Sequence, residues 1–97
     1  MSNSTRYLNE YFTYLRVERG LADNSLQSYQ RDLQKLTAFA TEIGKELLTL
    51  ERADLVDCLA EMKDRGESEA TIARFISAAK GFYKYVQREG LSKHDPT

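Results

Sequence analysis

The sequence holds one cysteine, one proline and one histidine in 97 residues. Each scarcity excludes something. A lone Cys58 cannot close a disulfide within the chain, which suits a reducing compartment, and its spacing from Leu55 and Met62 predicts a buried core thiol rather than a reactive one. A single proline and a hydrophobic share of 41% argue against disorder and for a compact, helical chain. Nowhere do 18 apolar residues follow one another, and the opening Met-Ser-Asn-Ser-Thr lacks a basic region followed by an apolar run. Neither a membrane span nor a secretory signal is predicted, and the chain reads as cytoplasmic. The only histidine, His94, sits in a C-terminal segment where a solvated side chain outranks a base or a ligand. With no Cys-His cluster, glycine-rich phosphate loop or metal-spaced carboxylates, the expected catalytic, cofactor and metal sites are none.

A second shortage is local. The stretch Ala70 to Arg88 contains no Asp or Glu, although the whole chain has 15 acidic residues against 14 basic ones. Residues 1–41 carry +1, residues 42–69 carry −5 and residues 70–97 carry +3, so the net charge of −1 hides a dipolar molecule. Within the acid-free stretch, Ile72, Phe75, Ala79, Phe82 and Val86 recur at the spacing that lines one side of an α-helix. Arg74, Lys80, Lys84 and Arg88 fall elsewhere on it. Such a helix buries one face and offers cations on the other.

Ninety-seven residues fit one domain, burying roughly 60–65% of the unfolded surface. Gly20, Gly44, Gly66 and Gly90 each follow a helix-periodic segment, where a left-handed terminator is expected. They divide the chain into four helices, an all-α fold. The first is expected from about Thr5 to Arg19, with Ser4 as N-cap and Leu8, Tyr11, Phe12 and Leu15 inward. The second runs from about Asp23 to Ile43 on the stripe Leu26, Tyr29, Leu33, Leu36, Phe39, Ala40 and Ile43, with Asp32 the one negative charge on its exposed side. A Leu-rich connector leads to the third, with Thr49 near its N-cap and Leu55, Leu59 and Met62 inward. Asp54, Asp57, Glu61 and Asp64 make that helix acidic, which reads as a solvated face. Ser68 is a good N-cap for the fourth, which ends before Gly90.

Residues 1–90 thus form the helical domain, and residues 91–97, ending in Asp-Pro-Thr, read as a linker, because a residue before proline avoids the helical region. A boundary at this point suggests a second domain beyond it. A weak repeat with an offset of 46 pairs Ser25 with Thr71, Leu26 with Ile72, Tyr29 with Phe75, Leu36 with Phe82, Ala40 with Val86 and Gly44 with Gly90. Two stacked helical hairpins would produce it, and so would any two amphipathic helices that follow glycine.

Six tyrosines raise the question of a nucleophile. Tyr11 and Tyr29 fall on apolar stripes, while Tyr7, Tyr14, Tyr83 and Tyr85 read as rim residues with apolar bodies and wet hydroxyls. Binding is better supported than catalysis. Asn24, Ser28, Arg31 and Lys35 follow the helical repeat on the second helix, as Thr71, Arg74, Ser77, Lys80, Lys84 and Arg88 do on the fourth. Long cations with short hydroxyl and amide donors suit phosphates and base edges. Ser25 and Thr71 add donors near the positive ends of their helix dipoles. A DNA-facing surface and a merely solvated basic face both fit this pattern.

The runs Arg-Gly-Leu-Ala-Asp-Asn-Ser-Leu-Gln-Ser-Tyr-Gln-Arg-Asp-Leu (19–33) and Ser-Glu-Ala-Thr-Ile-Ala-Arg-Phe-Ile-Ser-Ala-Ala-Lys-Gly-Phe-Tyr-Lys-Tyr (68–85), then Glu-Gly and Asp-Pro, carry a resemblance. They resemble the amino-terminal core-binding domain of Xer-type tyrosine recombinases and phage integrases, over essentially the whole chain. The resemblance implies a four-helix SAM-like bundle that forms one jaw of a clamp on double-stranded DNA during DNA integration and recombination. It also implies two further partners, a C-terminal catalytic domain of the same chain and other recombinase protomers on DNA. Carried over by position, the DNA-binding candidates are Asn24, Ser25, Ser28, Arg31, Lys35, Thr71, Arg74, Ser77, Lys80 and Lys84. The family's catalytic residues belong to the other domain, so no enzymatic role falls on this one. Ala22 stands where many relatives have a Ser cap, which puts the start of the second helix in doubt. Gly81 inside the fourth helix costs about 1 kcal/mol against Ala, which suggests that backbone or DNA comes close there. The alternative from another class is a helical protein–protein interaction or dimerisation module, its acidic and basic helices meeting complementary partners.

Overall fold

In the computed structural model, which describes residues 3–93 and 95–97, the chain forms α1 (Asn3–Val17), α2 (Asp23–Glu42), a 3-10 turn (Leu47–Thr49), α3 (Arg52–Asp64) and α4 (Glu69–Arg88). The expectation for His94 lies outside the described residues. Among the described residues there is no strand, and no helix is long and apolar enough to cross a membrane. The architecture is an all-α, four-helix bundle.

Helix ends follow the glycines. After α2, α3 and α4 the chain turns through Gly44, Gly66 and Gly90 at φ of 73°, 80° and 71°, a region that side chains with a Cβ avoid. The next residue then donates its N–H back to a carbonyl of the last turn, Lys45 to Ala40 at 2.8 Å, Glu67 to Met62 at 3.1 Å and Leu91 to Val86 at 2.8 Å. At the other end of α4 the Ser68 hydroxyl accepts the Thr71 N–H at 3.1 Å, as its sequence position predicts. Ala22 holds nearly the same backbone angles but supplies no side-chain cap to α2.

Two starts differ from expectation. Helix α1 begins at Asn3, so Ser4 is a buried residue of its first turn and not an N-cap. Helix α3 is capped by Glu51, whose N–H donates to Asp54 Oδ2 at 2.9 Å, and not by Thr49. Thr49 instead closes the 3-10 turn, its Oγ1 accepting the Glu46 N–H at 3.0 Å. The physical reason is that Leu47 and Leu50 both go into the core, at 1% and 0% exposure, and a tight turn brings both there.

The core is built around α4, which lies against α1, α2 and α3 and shares its largest interface with α2. Phe75, Ala78, Ala79, Phe82, Tyr83 and Val86 face it from α4, and Leu26, Leu33, Leu36, Phe39 and Ala40 from α2. Each fully buried Leu or Phe contributes roughly 1.5–3 kcal/mol. Ile43, expected on the stripe, is exposed because α2 ends one residue before it. Tyr29 and Leu59 pack against the core but are only partly buried. Tyr83 corrects the sequence reading outright. It is no rim residue: it has no exposure, and its hydroxyl donates to the Leu47 carbonyl at 2.6 Å. That bond satisfies the phenol inside the core, where burial pushes its pKa up. Cys58 is buried as expected, its thiol raised to about 11 by burial first and then by Glu61.

Gly81 is explained by an aromatic ring. A Cβ there would run into the Tyr11 hydroxyl, so the close approach is a side chain of α1 rather than backbone. Beyond α4, Leu91 packs on the core, and Pro96 is buried beside the groove between α3 and α4.

Candidate nucleic-acid interface

The register of the two helices follows the repeat. Both α2 and α4 have 20 residues, and their starts and ends lie 46 residues apart. They are tied together by an ion pair. Arg74 of α4 donates from Nε to Asp32 Oδ2 at 2.8 Å and from Nη2 to Asp32 Oδ1 at 3.0 Å. The carboxylate has no exposure, while 38% of the Arg74 side chain remains open to solvent. Asp32 is therefore not an exposed charge of α2, as the sequence reading expects, but a buried one. Its hydrogen bonds hold the Arg74 proton more firmly than usual.

The pair sits amid the residues singled out from the sequence. On α2, Ser28 and Lys35 are one turn from Asp32, and Arg31 adjoins it; on α4, Thr71 and Ser77 are one turn from Arg74. A second link joins the same elements. Lys35 Nζ lies 2.6 Å from Glu67 Oε1, just ahead of α4, and this contact lowers the Glu67 pKa. Ser28 donates to the Asn24 carbonyl at 3.1 Å inside its own helix, and the Thr71 hydroxyl accepts from Ser68 at 2.9 Å. Asn24, Ser25, Arg31, Ser77, Lys80 and Lys84 are exposed. Among the described residues the side chains of Arg31, Lys80 and Lys84 make no ion pair.

Lys80 and Lys84 lie one turn apart on the same side of α4. Lys80 overlooks the groove toward α3, beside Arg52 and Pro96. Lys84 overlooks a crevice of about 320 Å³ between α4 and α1, whose lining includes Tyr11, Tyr14, Arg19, Tyr85 and Arg88 and no carboxylate. Arg88 Nη1 donates to the Tyr14 hydroxyl at 3.1 Å, and its guanidinium carbon lies 4.5 Å from the Tyr14 ring centroid. Hydrogen bonds from Arg88 and then Arg19 lower the Tyr14 pKa. Sequence reasoning missed Arg19, which lies beyond the end of α1; it placed Arg88 on the basic repeat of the fourth helix but did not carry it into the contact set. The signal for Arg88 was its spacing of four from Lys84.

Part of the acidity lies on α3. On α3, Asp57, Glu61 and Asp64 are exposed, and Asp54 is held by Lys45 at 2.7 Å, which lowers its pKa together with the Glu51 N–H. Among the described residues no three of His, Cys, Asp or Glu converge to hold a metal ion.

Residues 8–90 match the family model described as "Phage integrase, N-terminal SAM-like domain". The chain is 37% identical over 92 residues to the tyrosine recombinase XerD of Oceanobacillus iheyensis, covering 93% of this chain and 31% of that protein. It is 39% identical over 92 residues to the tyrosine recombinase XerC of Pseudomonas putida strain F1, covering 94% of this chain and 31% of that one. A similar match, 34% over 91 residues, links it to XerD of Staphylococcus aureus. The chain thus spans about a third of the length of the curated relatives it matches. No solved structure matches it significantly. With four helices in this order and a family model covering nearly all of them, the chain belongs to the phage-integrase SAM-like family and is an N-terminal domain of the tyrosine-recombinase type.

Proposed function

We propose that this domain is one jaw of a clamp on double-stranded DNA in a cytoplasmic site-specific recombinase or integrase. Helices α2 and α4 meet the major groove, and a catalytic domain following residues 91–97 of the same chain breaks and rejoins strands. Other protomers assemble beside it on the DNA. The observation that carries the reading is the segregation of charge: the open side of α4 has no carboxylate between Ala70 and Arg88, and the one acid of mid-α2 is buried.

Within this reading nine of the ten candidate residues divide by chemistry. Arg31, Lys80 and Lys84, joined by Arg19, grip phosphates as unpaired or loosely held cations. Asn24, Ser25, Ser28, Thr71 and Ser77 are short donors that steer the helices, and Lys35 serves mainly to fix α2 against the entry to α4 through Glu67.

Four phosphate contacts predict that log affinity falls against log salt with a slope of about −3.6. Titrating a labelled duplex with the domain over a salt series reads this directly. Replacing Arg31, Lys80 and Lys84 together by Ala should weaken binding by at least about tenfold and flatten the slope, while helicity is retained because all three are exposed. Unchanged affinity in that folded triple variant would sink the assignment of the face.

A further inference from the structure

The Asp32–Arg74 pair divides the guanidinium into two halves. Nε and one Nη2 proton are spent on the carboxylate in a side-on, two-bond contact. The two Nη1 protons and the second Nη2 proton remain, and among the described residues they have no protein partner. These form the end-on fork of an arginine, with two parallel N–H directions set a fixed distance apart. Ordinarily a long side chain must lose its rotamer freedom to use that fork. Here Asp32, without exposure, has already fixed it.

Charge narrows what the fork is for. A phosphate is held by net positive charge, and the Asp32–Arg74 pair has none to offer, since a carboxylate stands about 3 Å behind the guanidinium. The unpaired cations Arg31, Lys80 and Lys84 serve that purpose better. A neutral acceptor pair asks for direction rather than charge, and the major-groove edge of guanine presents such a pair in O6 and N7. The neighbourhood allows the approach: Ala70, Ala73 and Ser77 on the open side of α4 are all exposed and short.

We propose that Arg74, aligned by the buried Asp32, is the base-reading residue of this domain and recognises one guanine through O6 and N7 in the major groove. Arg74 is the specificity determinant and Asp32 its positioning residue. The inference rests on the clamp reading above and goes beyond it, because gripping DNA requires neither residue to read sequence.

The test is selection of bound duplexes from a randomised pool, followed by affinity measurements on the winning site. The domain should enrich one guanine position, with a preference of roughly 5- to 150-fold over other bases. Placing 7-deazaguanine there, which removes the N7 acceptor, should weaken binding by about tenfold. Arg74→Lys keeps a cation opposite Asp32, and so keeps the fold, but has no fork. It should bind with an unchanged salt slope and lose the guanine preference. Arg31→Ala should weaken binding to all sequences alike and leave that preference intact. If Arg74→Lys still enriches the same guanine, or if the unaltered domain binds with salt sensitivity but prefers no guanine, the inference is overturned while the clamp stands. If no duplex is bound at all, both fall.

Discussion

Helices α2 and α4 are equal in length and occupy matching places in a 46-residue repeat, yet position by position they do different work. Ala22 caps α2 with no side chain where Ser68 caps α4. Buried Asp32 answers to buried Ala78, and half-exposed Lys35 answers to Gly81, over which Tyr11 lies. The difference follows from location. Helix α4 runs between α1 and α3 and touches α2 as well, so its flanks are crowded and carry small or ring-shaped residues. Helix α2 carries, on its flank toward α4, a carboxylate and an ammonium that reach across to Arg74 and Glu67. A shared backbone frame thus leaves one helix to hold the bundle together and the other to set how the pair is joined.

The largest effect should come from breaking the join unevenly. Arg74→Ala strands a carboxylate that has no exposure, at a cost of about 3 kcal/mol, and the melting temperature should drop by on the order of 10–20 °C. Asp32→Ala leaves only an arginine that already reaches water, and should cost about half as much. Thermal denaturation followed by circular dichroism measures both; equal losses would mean that the burial of Asp32 carries no penalty.

Next in size is the crowding of α4. Gly81→Ala gains roughly 1 kcal/mol in helix propensity but drives a methyl into the Tyr11 hydroxyl, and the net change should be a loss of about 1–2 kcal/mol. In a Tyr11→Phe background the obstructing oxygen is gone. The same Gly81→Ala change should there be neutral or stabilising, which a pair of urea titrations would detect. A loss of the same size in both backgrounds would place the obstruction elsewhere.

The smallest effect equalises the caps. Ala22 has φ −65° and ψ 151° and Ser68 has φ −69° and ψ 158°, so a hydroxyl at position 22 would find the geometry ready. Ala22→Ser should stabilise by about 0.5–1 kcal/mol, and Ser68→Ala should lose about 1 kcal/mol. Urea midpoints that move in the same direction for the two would contradict the equivalence of the helix starts.

Much of this architecture can be read from residue spacing because it depends on local rules. Glycines mark the helix ends since few other residues accept a positive φ, and the stripes of α2 and α4 name most of the core. What spacing cannot convey is which flank of a helix meets a neighbour. Asp32 looks exposed as a charged residue, although it lies three after Tyr29 and four before Leu36, on the edge of the apolar stripe, and its repeat counterpart is a buried Ala78. Tyr83 looks like a rim residue because nothing in its own helix shows that the Leu47 carbonyl waits opposite. The candidate face was legible in its helices and cations, but not in the pairing that separates Arg74 from Lys80 and Lys84. That pairing joins residues 42 apart in sequence, beyond any helical period.

The bond from Tyr83 to Leu47 also bears on how separable the halves of the repeat are. Its counterpart, Thr37, turns its hydroxyl back to the Leu33 carbonyl of its own helix at 2.8 Å, a bond any isolated helix could make. Tyr83 instead spends its hydroxyl on the connector between the two hairpins. The two hairpins are therefore no longer interchangeable modules. The later one holds a clasp on the joint between them for which the earlier one has no equivalent, so the repeat survives as a pattern of helices and not of bonds.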